Sequence, residues 1–415
     1  MTEIQLPDQA ADTPRPLDLS RPVVLHTLTF LEEGEDVTVG RQDINSFCVL
    51  PADGAALLKE LGAGRTPEEV ASWYAQTYDQ EVNMQDFLEA MEELGFLAAD
   101  AAEVRQVAPV RWQRLGRAVF SPPAMAGYCA LIAAAAFEMA RDHRLLPQYH
   151  NLFFSPYVMV ISLTIYLLQV PLVALHEGFH ALAGRRLGLN TSFGFGRRLW
   201  FIVVETSMDG LVTVPRRKRY WPILCGMFAD LLSIAVLTLI GAAARRPDGS
   251  EPLAAAICLT LAFATLIRFL WQFYFYLRTD MYFVAVTVLG CVDLHEAARR
   301  INSNRMWRLL RRTDKLADEE ELHPTDRRVG RWYSWLLILG YGFSLGTALA
   351  FGLPAALKVV QLMWDHVAHS TGAGGVLDTV VFVLVNLAQG AFLGFLFLRE
   401  RRRRRTAVKL QHVIA

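Results

Sequence analysis

The residues best suited to chemistry in this chain lie together in Leu175-His176-Glu177-Gly178-Phe179-His180. On a helix, His176 and His180 stack on one face, so both imidazoles can reach a single metal ion. Neutral imidazoles suit a borderline-soft divalent ion, zinc (Zn2+) above all. Glu177 lies beside that face, where it can act as general base on a water activated by the ion. The motif also falls within an apolar run, where ionisable side chains are expensive and usually serve function. A polar patch that glues helices together is the plainer use of the same residues.

The elements that must hold this motif are membrane-like. Of 415 residues, 53% are hydrophobic. Apolar runs extend over 118–139, 157–183, 221–244, 253–277, 332–360 and 376–398. Each reaches the length of about 20 residues that a spanning helix needs. A shorter run, 281–294, is too brief to cross and reads as re-entrant or interfacial. The expected fold is therefore a mainly α membrane protein of about six transmembrane helices, preceded by a small α+β head.

The net charge of zero hides a segregation. Residues 1–103 carry 21 acidic and 5 basic side chains, and the remainder carries 20 and 36. Arginine and lysine crowd the stretches 184–220 and 278–331 and the tail Arg401 to Arg405, whereas the alternate loops hold few. The positive-inside rule then makes head, basic loops and tail cytoplasmic, in a multi-pass protein of the cell membrane. The tail reads as a topology anchor on anionic lipid. Near the start, Glu3, Asp8 and Asp12 exclude a signal peptide pattern. Five isolated cysteines without C-x-x-C spacing exclude a disulfide framework or a zinc knuckle.

Two histidines leave a tetrahedral zinc short of a protein ligand. In the expected topology the second span ends on the cytoplasmic side, and so does the fourth, which is followed at once by Arg278-Thr279-Asp280. Topology alone thus brings Asp280 to the leaflet of His176 and His180. Three ligands and a free fourth position make an open, catalytic type of site.

These residues resemble the site-2 protease family of intramembrane zinc metalloproteases, whose third ligand is the Asp of an L-D-G-type motif at the start of a later helix. The resemblance implies that Asp280, within Leu277-Arg278-Thr279-Asp280-Met281-Tyr282, is that ligand. Met281 departs from the family's glycine. Gly226-Met227-Phe228-Ala229-Asp230 matches in part a Gly-Pro-x-x-Asn-like element of the family. Asp230 there either positions substrate backbone or a site water, or pairs with Arg268 on the fourth span.

Between the second and third spans, Leu199 to Val204 and Leu211 to Val214 read as strands about a turn at Ser207-Met208-Asp209-Gly210. A hairpin there would offer an edge to an extended substrate, as the resembled family is thought to do, or plug the bundle mouth.

The head, 26–103, is followed by a linker, 104–117, and preceded by a flexible segment, 1–25. Strands are expected at 26–30, 36–40 and 46–50, then a helix stopping near Gly62. Thr66-Pro67-Glu68-Glu69 is a capping box with proline at the first helical position, so a helix follows with Val70, Trp73 and Tyr74 inward. Asn83 starts another helix, with Phe87, Leu88, Met91 and Leu94 inward and Gly95 at its end. Strands followed by helices make a winged-helix-like module. With 17 acidic and 3 basic residues in 26–103, phosphate would repel it, and no nucleic acid partner is expected. The head resembles PqqD-like peptide-recognition domains, which add a leader peptide to their sheet as a strand. The resemblance implies a precursor-peptide partner, for which an acidic surface would favour a basic or amphipathic sequence. A head that only stabilises the body or dimerises is the alternative.

Together the two resemblances imply a membrane zinc metallopeptidase that processes a ribosomally made precursor peptide. A catalytically inactive peptide chaperone, export or immunity partner, and a regulatory intramembrane protease of a membrane-anchored signalling protein, stand beside it.

Overall fold

The computed structural model describes residues 18–353 except 35, 45, 101, 102, 105–109, 199, 200 and 247–250. Beyond them it describes 357, 360, 361, 364, 376–391, 394 and 395. The basic tail therefore lies outside the described residues. The chain is mainly helical with a small N-terminal sheet region, and it divides into two compact units.

The first unit comprises the chain up to Gln113 together with 184–191 and 208–218. Strand β1 (Val24–Leu25) leads to a meander of β2 (Thr29–Glu33), β3 (Asp36–Arg41) and β4 (Ser46–Pro51), with Phe30 opposite Val39 and Val39 opposite Cys48. Alternation along β3 buries Val37 and Val39 while Asp36 and Thr38 stay half-buried. Helices α1 (Ala52–Gly62) and α3 (Met84–Glu93) pack on the meander, α2 (Pro67–Tyr78) packs with α1 and α3, and β5 (Leu97–Ala98) returns antiparallel to β1.

The expected capping box is present, with Thr66 accepting from the Glu69 amide and Glu69 accepting from the Thr66 amide. Asn83 caps α3 through Oδ1 on the Asp86 amide. Val70 and Tyr74 are buried and Trp73 is half-buried, its ring edge-on to Tyr78. Tyr74 donates to Asp53 Oδ2 at 2.5 Å. That carboxylate, helped by burial, pushes the Tyr74 hydroxyl up to about 12. The first expected strand, 26–30, meets β2 only at Thr29 and Phe30; residues 26–28 are not strand, and β1 lies upstream of it, paired with β5. Leu19 and Val23, upstream of the expected head, pack on its core of Leu57, Leu61, Val70 and Leu88.

The second unit opens with α4 (Gln113–Val119), most of which belongs to it, and continues with α5 (Pro122–Arg141) and α6 (Val158–Arg186). A hairpin follows, β6 (Ser192–Arg198) with β7 (Phe201–Ser207), then α7 (Arg216–Ala244) and α8 (Leu253–Trp271). Next come α9 (Asp280–Leu289), α10 (Leu294–Leu309) and α11 (Pro324–Thr347). Among the described residues, α5, α6, α7, α8 and α11 with its extension to Ala350 are long and apolar enough to cross a membrane. Leu167 and Val170 on α6 and Leu339 on α11 are more than 60% exposed, which suits lipid rather than water. Of the sixth expected span, 376–398, an apolar helix Val376–Ala391 is described.

Two expectations are corrected. The fourth span stops at Trp271, not Leu277, and a short 3-10 turn, Phe275–Leu277, takes up the remainder. The expectation of a re-entrant or interfacial run at 281–294 is not overturned: most of it is α9, which joins α10 at a bend of 89°. Gly290 takes φ +69 there, a left-handed C-cap that glycine adopts without steric cost. The hairpin is real but shifted towards the N-terminus: Leu211 to Val214 is no strand, since Asp209–Thr213 forms a 3-10 turn. Its β6 half, with two glycines and two arginines, lacks the β-branched signature by which strands are read.

Candidate metal centre

Helix α6 carries His176, Glu177 and His180 on one buried turn, each less than 10% exposed. Phe179 and Ala183 of the same helix pack on Cys225, Ala229 and Leu232 of α7 and on Phe120. That packing seats the histidine face of α6 against α7. The two imidazoles meet at their Nε2 atoms, 3.3 Å apart.

Asp280 arrives from another direction, as the first residue of α9. Its amide donates to Gln272 Oε1 at 3.1 Å, and Thr279 Oγ1 donates to the Gln272 carbonyl at 2.6 Å. Arg278, in the left-handed region at φ +56, turns the chain just before it. Asp280 Oδ2 then lies 3.4 Å from His176 Nε2 and 3.3 Å from His180 Nε2. Met281 sits in the first turn of α9 without positive φ, so the position does not require the glycine of the resembled motif.

The three atoms form a nearly equilateral triangle. Bonds of about 2.0–2.1 Å to a tetrahedral ion set its ligand atoms about 3.4 Å apart, the spacing found here. Asp280 Oδ2 is buried without a hydrogen-bond partner, as a ligand atom would be in the absence of its ion. The charges agree as well. Glu177, Asp230 and Asp280 are three carboxylates against one guanidinium, Arg268, an excess that a divalent cation balances in a medium where buried charge is costly. The group His176, His180 and Asp280 can hold a metal ion.

Both histidines are held from behind. His180 Nδ1 is 2.7 Å from the Pro222 carbonyl, to which it donates, leaving Nε2 unprotonated and facing Asp280. His176 Nδ1 lies 3.1 Å from Asp230 Oδ2, off the line of an ideal hydrogen bond but within ion-pair range. Asp230 also meets Arg268, with Oδ1 at 2.5 Å from Nη2 and Oδ2 at 3.4 Å from Nε. Glu177 Oε2 accepts the hydroxyl of Thr206 from β7 at 2.7 Å.

Gly226 admits α7 to this site. A Cβ there would fall 2.2 Å from His180 Nε2 and 2.4 Å from His176 Nε2, so only glycine permits the approach. The structure brings the expected residues His176, His180 and Asp280 together, with Glu177 next to His176 on α6. Asp230 pairs with Arg268, one of its two expected roles, and reaches His176 besides. Gln272 and Thr206 carry no motif of their own, and the Gly226 element of the sequence does not by itself reveal its packing role. Comparison with known protein families, with curated proteins and with solved structures returns no match for this chain.

Proposed function

We propose that this chain is a membrane-embedded zinc metallopeptidase that cleaves a peptide near the cytoplasmic face. The observation that carries the reading is the convergence of His176 Nε2, His180 Nε2 and Asp280 Oδ2 on one point, beside a buried glutamate. His176, His180 and Asp280 hold the ion, which when bound supplies Lewis acidity towards water and a peptide carbonyl. Glu177 accepts the proton of the attacking water on its carboxylate and returns it to the nitrogen of the leaving amine. Thr206 holds that carboxylate in place. The hairpin β6–β7 offers strand edges with which an extended peptide can pair.

The substrate in this reading is a ribosomally made precursor peptide, recognised by the acidic, PqqD-like head and relieved of its leader. The basic loops support placing head and tail in the cytoplasm.

The test is metal analysis of the purified full chain, with cleavage of precursor peptides encoded beside it compared between wild type and Glu177→Gln. One zinc per chain and cleavage lost in Glu177→Gln support the proposal. Bound zinc without Glu177-dependent cleavage would favour a peptide chaperone instead, and absence of metal would remove the enzyme reading.

A further inference from the structure

We infer that Asp230 is a positioning residue of the metal centre, aiming His176 through a relay of buried and half-buried polar groups that runs to α8 and back to α6. The inference rests on the metal-site reading above and adds to it the source of its rigidity.

Asp230 is 0% exposed, so its carboxylate has no water to satisfy it. Arg268 of α8 grips both oxygens in the planar fork that guanidinium offers a carboxylate. Arg268 is held in turn, since its Nη1 donates to Gln169 Oε1 at 2.8 Å. Gln169 then uses its Nε2 on the Leu261 carbonyl and on Thr265 Oγ1, both at 3.3 Å. The relay therefore starts on α6, passes through α8 and α7, and returns to α6 at His176, two turns beyond Gln169.

The direction of the imidazole follows. With Nδ1 facing a carboxylate held by a guanidinium, the tautomer carrying hydrogen on Nδ1 is favoured, and Nε2 presents its lone pair towards His180 Nε2 and Asp280 Oδ2. His180 obtains the same orientation from a backbone carbonyl, which no side-chain substitution removes. Behind His176, among the described residues, the group facing Nδ1 is the Asp230 carboxylate. The two ligands of one motif are thus unequal in what secures them.

The test is binding of Zn2+ alone and Co2+ alone to the purified full chain by chelator competition, with the visible ligand-field spectrum of the Co2+ form. Asp230→Ala should weaken Zn2+ about 10- to 100-fold, the usual cost of losing such a partner, and alter the Co2+ spectrum. Asp230→Asn, which keeps the shape and an acceptor oxygen, should retain the Co2+ spectrum with a smaller loss of affinity, and it decides the matter if Asp230→Ala fails to fold. Wild-type affinity and spectrum in a folded Asp230→Ala, or wild-type affinity in Asp230→Asn where Asp230→Ala is not obtained folded, would overturn the role of Asp230 while leaving the metal site standing. A wild type that takes neither ion would remove the metallopeptidase reading and this relay with it.

Discussion

Thr206 Oγ1 lies 2.7 Å from Glu177 Oε2 and 3.0 Å from the carbonyl oxygen of the same residue. A strand residue thus holds both the carboxylate and the backbone of the glutamate on the neighbouring helix. On the proposed function, hairpin and base are fixed to each other before a substrate arrives. Thr206→Val keeps the shape and removes the donor. A hydrogen bond to a charged group is worth about 1.5–3 kcal/mol, so kcat should fall about tenfold or more, with KM little changed. Thr206→Ser should retain most activity. Equal kcat in wild type and Thr206→Val would show that the contact does not orient the base.

Gly226→Ala adds one methyl group where both metal-facing nitrogens stand within 2.4 Å of the new atom. The imidazoles must move or α7 must withdraw. Overpacking of this kind costs about 1–3 kcal/mol in stability, which a span as enclosed as α7 can withstand. Metal retention should be lost while the protein still folds, as read by metal content after gel filtration beside a thermal melt. Zinc retained at one per chain would contradict the geometry of the site.

Arg268→Met leaves Asp230 buried with its principal counter-charge gone. Breaking one side of a buried pair costs about 3–5 kcal/mol. Replacing both members, Asp230→Leu with Arg268→Met, removes the stranded charge and should recover much of that loss in stability without restoring metal affinity. Unfolding in detergent or lipid, followed for the single and double variants, checks the pattern. A double variant as unstable as the single one would show that the pair is not energetically coupled.

The head has an alkaline limit of its own. Asp53 and burial hold the Tyr74 hydroxyl protonated up to about 12, against an ordinary value of 10.0. Because the folded value is the higher, this hydrogen bond stabilises the head fully below about pH 10 and is lost as pH rises towards 12. Tyr74→Phe should lower stability at neutral pH and flatten its decline between pH 10 and 12. The full chain, followed by tyrosinate absorbance and denaturant melts, provides the measurement. A decline of the same steepness in both proteins would assign the limit to other groups.

Much of this architecture is legible in the residues because its signals are local. Apolar length marks α5 to α8, Thr66 with Glu69 marks the start of α2, and the spacing of His176 and His180 marks their common face. Asp280 is legible for a different reason, since topology returns it to the proper depth. What is not legible depends on tertiary approach. Gly226 is marked in the sequence only as the start of a partial family element, and its packing role shows only when two imidazoles are placed against it. The hairpin is displaced in the sequence reading because β6 is built from Gly194, Gly196 and arginines, and such a strand is recognised only by its partner. Asp230 shows a pairing with Arg268 by sequence, but its reach to His176 requires α6 and α7 to be packed.

The three candidate ligands come from two helices that the chain lays down far apart, α6 early and α9 only after α7 and α8 have been made. A nascent chain that ends before Asp280 offers two imidazoles and no carboxylate to close the triangle. On the proposed function, a complete metal site can therefore form only after α8 and the turn that follows it have been made. On that reading, a chain truncated before Asp280 lacks one of the three candidate ligands, and the order of synthesis itself delays any chemistry the site performs.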